Sequence, residues 1–589
     1  MPRPGRLTGP ARLAGALVAL SLAAAACGGI PDSGPVHAGA QLDGPPPVRV
    51  LAAPPVPGAS PDDIVRGFLR AQPGLDDDAA VARSYLTADA ARSWASQPRV
   101  VVYPDESALH VIAGPNGTYT VTATQLATVT ANGVYTEAGP KVTARLRLHL
   151  VRADGQWRIS SMDDAQSRWL TSFDLDRVYA QVPLYYGEPG SRVLVPDLRW
   201  FPATSGLATV VARAQLEPPP PYLRQAVTTG ALSGTALAVG SVPTAGNVAS
   251  IDLTASARQL SSAERTLLWG QLAAAVTQVP GVDSVRVLAG DKLLDLPGQS
   301  VTTGTTSGAL GFSVDSPPSA SAVVMATSAG QAVLTQLAAS SAATAGATKA
   351  SLPSFSVPLR SLARSSDGRE FAGVDQSGHL LLRIVDGRTT TALDVPAGLS
   401  APSYDFRRWL WTAASAAGSP TRVYAVLATP GAREVVAATP LAAWLDDRLV
   451  TAVQISRDGA RALVVSTGKG GWRLDIAGVQ RDARGRPLAL TAPLRVGLGL
   501  SDVADATWVD STSVAVLARL SSDKAAAPYL VTVGAGVIPL PGLVGGVRIA
   551  AGAGADTITV VTSRGEVLAR GGASGWVTIG HGLDVAFPG

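Results

Sequence analysis

The segment SRDGARALVVS, residues 456–466, places a tight turn directly before an apolar run. Asp-Gly is a preferred turn dipeptide, and β-branched residues favour strands. Comparable turns, each followed by a β-rich stretch, recur at intervals of 41 to 52 residues. They lie at Ser366-Asp367-Gly368, Arg407-Arg408, Val509-Asp510-Ser511 and Gly554-Ala555-Asp556. A repeat near this length in an all-β region is typical of β-propeller blades.

We therefore predict that residues 313–589 form a propeller of five or six blades, at about 45 residues per blade. The alternative is a pair of β-sandwiches, whose strands would carry no such repeat. The apolar segment Leu583 to Phe587 near the chain end is predicted to pair with the blade at the other end of the repeat region. Such pairing closes the ring, because an open ring leaves unpaired sheet edges.

Residues 60–190 are predicted to form an α+β domain. Ser60 is a preferred N-cap, and Pro61 fits the first position of a helix. Strict alternation over Val142 to Leu150 predicts a strand with one apolar face. The dipeptide Asp154-Gly155 then predicts a hairpin turn.

Residues 191–300 are predicted to form a second α+β domain. Ser261 and Glu264 make a capping box at the start of a helix, and Pro280-Gly281 ends it. A further helix is predicted after Pro218 to Pro221, and a strand pair over Ala236 to Val242 and Val248 to Leu253. The fold class is thus multidomain, with two α+β domains before an all-β propeller.

The only cysteine, Cys27, indicates where the protein is located. A basic leader and the uncharged apolar run Leu13 to Ala26 precede it, so residues 1–26 read as a secretory signal peptide. A cysteine directly after SLAAAA is where bacteria attach diacylglycerol to a thiol and then cleave. We predict that Cys27 carries S-diacylglycerol and an N-acyl chain such as palmitate. The alternative is a stray cysteine beside an ordinary signal peptide, and Ala24 departs from the usual leucine of a lipobox.

Residues 27–59 are rich in proline and glycine and predict an extended tether. Three later uncharged stretches, residues 226–251, 316–348 and 525–547, are interrupted by prolines or are only weakly apolar. We therefore expect the lipid to be the only membrane attachment, on the extracytoplasmic face. Net charge is +4, and no basic cluster interleaved with aromatic residues occurs, which argues against nucleic-acid binding. Abundant arginine and alanine beside rare lysine suggest a GC-rich actinobacterium.

A search for catalytic chemistry yields no catalytic residue, cofactor site or metal site. The five histidines have no ligand spacing; they are His37, His110, His149, His379 and His581. Ser521 and Lys524 match a serine–lysine pattern by chance, without the partner motifs. Asp76 to Asp78 read as a helix start, and Asn116-Gly117-Thr118 as a turn. Trp409 and Trp411 share one strand face, where core packing is favoured over a ligand contact.

Five segments together resemble the actinobacterial LpqB lipoprotein family over essentially the whole chain. They are CGGIPDSGPV (27–36), VRGFLRA (65–71), ARSYLTADAARSW (82–94), WFPATSGLATVVARAQLEPPPP (200–221) and VPGVDSVRVLAG (279–290). Residues 192–297 resemble the GerMN domain of spore-germination proteins. The resemblance implies an accessory protein of a two-component system, whose partner is the extracytoplasmic domain of the sensor histidine kinase MtrB of the MtrA–MtrB pair.

We therefore expect a non-enzymatic lipoprotein that binds and modulates such a kinase in cell-wall and division homeostasis. A lipoprotein that binds cell-wall glycan, with peptidoglycan as its partner and no signalling role, is the alternative. A cell-wall hydrolase is disfavoured, because no set of carboxylates or nucleophile with base is recognisable.

Overall fold

A computed structural model describes most of the chain from Ala52 onward. The described residues are 52–75, 79–95, 98–296, 298–299, 301, 304–314, 321–337, 352–385, 391–416, 418–428, 435–520, 525–572 and 575–589. All of them belong to one compact unit that begins at Pro47.

The first domain packs short helices against two four-stranded sheets. Its α-helices are α1 Pro61–Ala71, α2 Ala80–Arg83, α3 Ala88–Ser93 and α4 Ser172–Val178, with 3-10 turns at Glu106–Ala108 and Pro115–Gly117. Its strands are β1 Arg99–Tyr103, β2 His110–Ala113, β3 Thr118–Thr124, β4 Ala127–Val129, β5 Tyr135–Glu137, β6 Thr143–Ala153, β7 Gln156–Met162 and β8 Ser167–Thr171. The sheets have the orders β2-β3-β6-β7 and β5-β4-β1-β8.

Local sequence signals in this domain are confirmed. The hydroxyl of Ser60 accepts a hydrogen bond from the Asp63 amide at 3.2 Å and caps α1. The Asp154-Gly155 turn joins β6 to β7, with both residues at positive φ, as a type I′ hairpin requires. Alternate residues of β6 are buried and pack against α1 in one core.

Residues 52–59, which were predicted to belong to the tether, lie against the first domain. The Tyr85 hydroxyl donates to the Ala53 carbonyl at 2.8 Å, and the Gly58 amide donates to Gln156 Oε1 at 2.7 Å. Ala52 and Ala59 pack on the same core as α1. The chain is therefore attached to the domain eight residues before the α1 cap.

The second domain combines a long hairpin with a βαβ unit. Its strands are β9 Tyr179–Gly187, β10 Leu194–Pro202, β11 Thr244–Ala245, β12 Val248–Leu253 and β13 Ser284–Ala289. Its helices are α5 Leu207–Gln215 and α6 Ser262–Val276, with a 3-10 turn at Ala255–Gln259. The predicted capping box of Ser261 and Glu264 is present at the start of α6. This helix connects β12 to β13, and the two strands pair directly with each other in parallel.

Two predictions in this domain are wrong. Residues 221–226 form turns rather than a helix, because Gln225 adopts a positive φ and the Tyr222 carbonyl accepts bonds from Gly478 and Thr491. The helix lies earlier, at α5. Residues 236–242 do not form a strand; Leu237 makes only an isolated bridge to Leu253.

The rest of the described chain is all-β, and the predicted fold class is confirmed. Its strands are β14 Val323–Ser328, β15 Gln331–Gln336, β16 Ser354–Phe355, β17 Leu359–Arg364, β18 Glu370–Asp375, β19 Leu381–Val385, β20 Thr391–Leu393, β21 Ser403–Tyr404, β22 Leu410–Ala414, β23 Arg422–Ala428, β24 Val435–Ala438, β25 Leu449–Ile455, β26 Arg461–Gly468, β27 Gly471–Arg481, β28 Pro487–Leu490, β29 Leu494–Val496, β30 Leu500–Trp508, β31 Ser513–Leu520, β32 Ala527–Thr532, β33 Gly536–Pro539, β34 Gly546–Ala550, β35 Thr559–Thr562, β36 Glu566–Arg570, β37 Trp576–His581 and β38 Asp584–Ala586. Short 3-10 turns lie at Ala443–Leu445 and Ala555–Thr557.

Among the described residues these strands make six sheets, five of four strands and one of five. Each sheet but the first uses strands consecutive in sequence. The first has the order β16-β15-β14-β38, so its inner strand comes from the end of the chain. Val323 to Met325 pair with Asp584 to Ala586. The inner strands β38, β17, β21, β25, β30 and β34 contact one another in turn around a closed ring. The predicted closing strand is thereby confirmed.

Candidate functional site

The axis of the propeller holds a narrow polar channel between the inner strands. Its volume is about 100 Å³, and its lining includes Asp505, Asp584, Arg548 and Trp508. Pockets for drug-sized ligands occupy about 300–1,000 Å³. The channel is therefore too small for such a ligand. Its buried aspartates instead make hydrogen bonds between the inner strands of the ring.

Two buried aspartates connect neighbouring inner strands. Asp505 on β30 accepts a hydrogen bond from the Ile549 amide of β34 at 3.0 Å. Asp584 on β38 accepts one from the Leu362 amide of β17 at 2.9 Å. Each carboxylate also accepts a bond from the amide of the following residue. Side chains thus supply acceptors where the backbones of adjacent blades do not pair.

These carboxylates carry shifted pKa values. Burial is the main cause that raises the pKa of Asp584 to about 6; the Arg548 guanidinium opposes it, and the Asp505 carboxylate adds to it. Burial also raises the pKa of Asp505. Two carboxylates share one nearby arginine at the axis. Ionising both of them costs folding free energy.

Asp584→Asn should remove the part of the loss of stability between pH 4.5 and pH 7.5 that titration of this carboxyl causes, although its single acceptor oxygen cannot replace both carboxylate oxygens. Because the folded pKa lies above the unfolded value of 3.8, the native state holds the proton more tightly, and stability falls as pH rises through that interval. At about 1.36 kcal/mol per pKa unit, this pH-dependent loss in the parent protein is at most about 3 kcal/mol. Urea unfolding across this pH range measures it; parallel pH profiles of the two proteins would contradict it.

A buried ion pair joins the second domain to the propeller. Glu188 follows β9 and its side chain is 1% exposed. Arg407 donates from Nε at 3.2 Å and from Nη2 at 2.9 Å to Glu188 Oε1, and from Nη2 at 2.6 Å to Oε2. Its Nη2 also donates to the Pro189 carbonyl at 2.8 Å. These hydrogen bonds fix the orientation of the two side chains in addition to pairing their charges.

A second buried cluster lies along the same boundary. Asp197 accepts bonds from Arg199 at 2.5 Å and from the Tyr222 hydroxyl at 3.1 Å. Arg461 of the propeller pairs with Asp458 and donates to the Pro196 carbonyl at 3.4 Å. The Gly478 amide donates to the Tyr222 carbonyl at 3.0 Å. Hydrogen bonds from both side chains and backbone therefore hold the second domain against the propeller.

The first domain joins the same body through Tyr135 and Glu137. Trp200 stacks on Tyr135 at 5.8 Å between ring centroids, and its Nε1 donates to the Gly534 carbonyl of the propeller at 2.9 Å. Glu137 accepts bonds from the amides of Gly497 at 3.1 Å and Leu498 at 2.8 Å. Burial raises the pKa of Glu137, although these bonds oppose the shift. A cavity of about 520 Å³ lies beside this junction.

Arg407→Ala should destabilise the chain by about 3 kcal/mol, because it leaves the Glu188 carboxylate buried without a counter-ion. Glu188→Gln in the same chain should restore part of the loss. The matched control is Arg66→Ala, which breaks an exposed pair with Asp62 and should cost less than about 1 kcal/mol. Urea unfolding of the complete chain measures all three. Equal losses for Arg407→Ala and Arg66→Ala would show that the buried pair does not hold the domains together.

The structure does not assemble the sequence-predicted residues into one site. Cys27, His37, Asp76 to Asp78, Ser521 and Lys524 lie outside the described residues. The described histidines are dispersed: His110 and His149 lie in the first domain, His379 and His581 in the propeller. No group of three or more metal-ligating side chains occurs within the described part of the chain. Trp409 and Trp411 share a buried cluster, as the packing interpretation predicted.

Sequence reasoning missed the residues at the domain boundaries. Glu188 and Arg407 stand in turns far apart in sequence, and no local pattern links them. Asp197 and Arg199 did carry a signal: in VPDLRWF, two opposite charges alternate with apolar residues on one strand. Such charges are buried only when paired, so this strand could have been marked as an interface.

Two α+β domains joined by buried polar contacts to a closed ring of sheets define a multidomain β-propeller protein. Family models match it in the same order: the N-terminal domain of lipoprotein LpqB at residues 54–174, the sporulation and spore germination domain at 183–295, and the LpqB β-propeller domain at 330–588. The chain belongs to the LpqB lipoprotein family.

Relatives named lipoprotein LpqB occur in several actinobacteria. That of Streptomyces coelicolor is 29% identical over 87% of this chain and 86% of its own, and that of Streptomyces avermitilis is 26% identical over 84% of both. That of Cutibacterium acnes is 30% identical over 46% of this chain and 45% of its own. In the matches to Cutibacterium acnes and to Bifidobacterium longum, the chain spans about half the length of the relative.

Solved structures give distant similarities. TolB from Acinetobacter baumannii is 16% identical over 42% of this chain and 59% of its own, with a TM-score of 0.30. The β-propeller domain of Myceliophteria thermophila Cps50 is 16% identical over 42% of this chain and 79% of its own, with a TM-score of 0.27. Over the described residues, no helix has the length and apolar character needed to cross a bilayer.

Proposed function

We propose that this protein is a lipid-anchored lipoprotein on the extracytoplasmic face of the cell membrane, where it binds and modulates a two-component sensor histidine kinase of the MtrB type. Cys27 carries the lipid, and the pathway served is cell-wall and division homeostasis. The protein acts by binding and not by turnover.

Family membership supports the anchor and the general class, since the family is a lipoprotein family. The kinase partner comes from the resemblance of the whole chain to LpqB. A lipid anchor and a membrane-embedded kinase would share one surface. This raises their effective concentration, so that a weak interface is populated.

The single observation that carries the binding role is the buried polar junction of the three domains. Three contacts hold the domains together: Arg407 donates to Glu188, Arg461 donates to the Pro196 carbonyl beside Asp197, and a propeller amide donates to Glu137. The buried charged side chains at this junction therefore hold the domains together and do not form a nucleophile–base arrangement. A composite body of this kind presents broad surfaces, which suits recognition of a folded partner.

A paired capture experiment tests this role against the glycan alternative. The lipidated full chain is used to retrieve proteins from detergent-solubilised membranes and, in parallel, is sedimented with purified peptidoglycan. We expect retrieval of a sensor kinase and no sedimentation. Sedimentation with peptidoglycan and no kinase in the retrieved fraction would contradict the proposal and favour a glycan-binding lipoprotein.

A further inference from the structure

We propose that the open face of the β2-β3-β6-β7 sheet docks onto an anionic phospholipid surface. This face is opposite the one that packs on α1. Along β6, Ala144, Leu146 and Leu148 are buried against the helices, whereas Arg145 and Arg147 between them are exposed. No described element covers this second face.

Cations and short neutral side chains alternate across the open face. Arg145 lies opposite Thr122, which lies opposite His110. Arg147 lies opposite Thr120 in the same way, and Thr120 lies opposite Ile112. His149 continues the row along β6. The two arginines are thus next-but-one neighbours on β6, and the threonines beside them on β3 carry no charge.

The arginines of this face are not paired with acids. Neither Arg145 nor Arg147 makes an ion pair with any residue in the described ranges. The carboxylate of Asp163, one residue beyond the end of β7, accepts a hydrogen bond from the Arg147 backbone amide at 2.9 Å and makes no ion pair with the Arg147 guanidinium. Ile112, which is 62% exposed, places an aliphatic side chain among the cations. A basic face with an exposed aliphatic residue is complementary to anionic headgroups above an acyl layer.

The length of chain before the first domain limits how far this domain can lie from a membrane. This step rests on the proposed lipidation of Cys27. From Cys27 to Ala52 the chain has 25 residues, which span at most about 85 Å when fully extended. The first domain is thus held within about 85 Å of the lipid surface, so even weak electrostatic attraction can orient it.

Vesicle sedimentation of the mature chain carrying Cys27→Ser tests the face without the anchor. We expect binding to vesicles of phosphatidylglycerol and phosphatidylcholine, weak binding to phosphatidylcholine alone, and release at high salt. Arg145→Glu with Arg147→Glu should weaken binding to anionic vesicles about tenfold. Arg145→Gln with Arg147→Gln should weaken it less, and matching melting curves establish that these variants fold.

The matched control reverses two exposed arginines of the second domain, Arg213→Glu with Arg224→Glu, for an identical change in net charge. It should bind as the parent does. Equal binding by the two reversed chains, equal binding to neutral vesicles, or no binding at low salt would overturn the proposal. Sedimentation with peptidoglycan in place of vesicles would assign the face to wall polymer. Mass spectrometry of the native protein tests acylation separately, so failure of this face and failure of the anchor are distinguishable.

Discussion

Removal of residues 582–589 should abolish cooperative unfolding of the propeller. The deleted segment contains β38, whose three residues pair with Val323 to Met325. It also removes the buried side chains of Asp584, Val585 and Ala586 and the packing of Phe587. Apolar burial alone contributes on the order of 5 kcal/mol here, comparable with the total stability of a domain. Two inner strands would then face each other without the strand between them.

Calorimetry and urea unfolding of the complete and shortened chains measure this effect. The control is Leu583→Ser, which alters a 46% exposed side chain in the same segment and should change stability by less than about 1 kcal/mol. A shortened chain that melts at the same temperature with the same sharpness would show that the ring does not depend on its closing strand.

Cys27→Ser should give a folded protein that is lost from the membrane fraction. A thioether to diacylglycerol requires the thiol, and serine offers only a hydroxyl. Two or three acyl chains, at about 0.8 kcal/mol for each buried methylene, make the attachment effectively permanent. Loss of the chains should therefore move nearly all of the protein into the soluble fraction. Fractionation with a high-salt wash, together with the intact mass, measures it.

The salt wash separates two kinds of attachment. Residual binding through the basic sheet face would be released by salt, whereas a lipid anchor would not. An unacylated Cys27→Ser protein that stays with the membrane after the wash would contradict anchoring through this cysteine.

Most of the fold could be predicted where local chemistry fixes the structure. The Asp154-Gly155 hairpin, the capped helix α6 and the closing strand β38 follow from turn residues, a capping box and an isolated apolar segment. These signals depend only on neighbours in sequence, so they persist whatever the rest of the chain does.

Predictions failed where tertiary contacts override local preference. The segment after Pro221 reads as a helix start, yet the Tyr222 carbonyl accepts hydrogen bonds from the propeller instead of from an amide one helical turn later. The Glu188–Arg407 pair joins residues 219 positions apart, and no periodicity links them. The same holds for the functional residues. Cys27 can be recognised from the sequence alone, whereas the basic sheet face can be recognised only once the register of β2, β3 and β6 is known.

The proposed function requires that the lipoprotein binds a sensor kinase and changes its activity. The most direct test reconstitutes an MtrB-type kinase in liposomes with the lipidated chain and measures both co-purification and autophosphorylation. Chain carrying Cys27→Ser serves as the control for membrane confinement. We expect binding and a change in autophosphorylation rate with the lipidated chain, and a weaker change with the control at equal concentration. A kinase that neither binds the lipoprotein nor alters its autophosphorylation would contradict it.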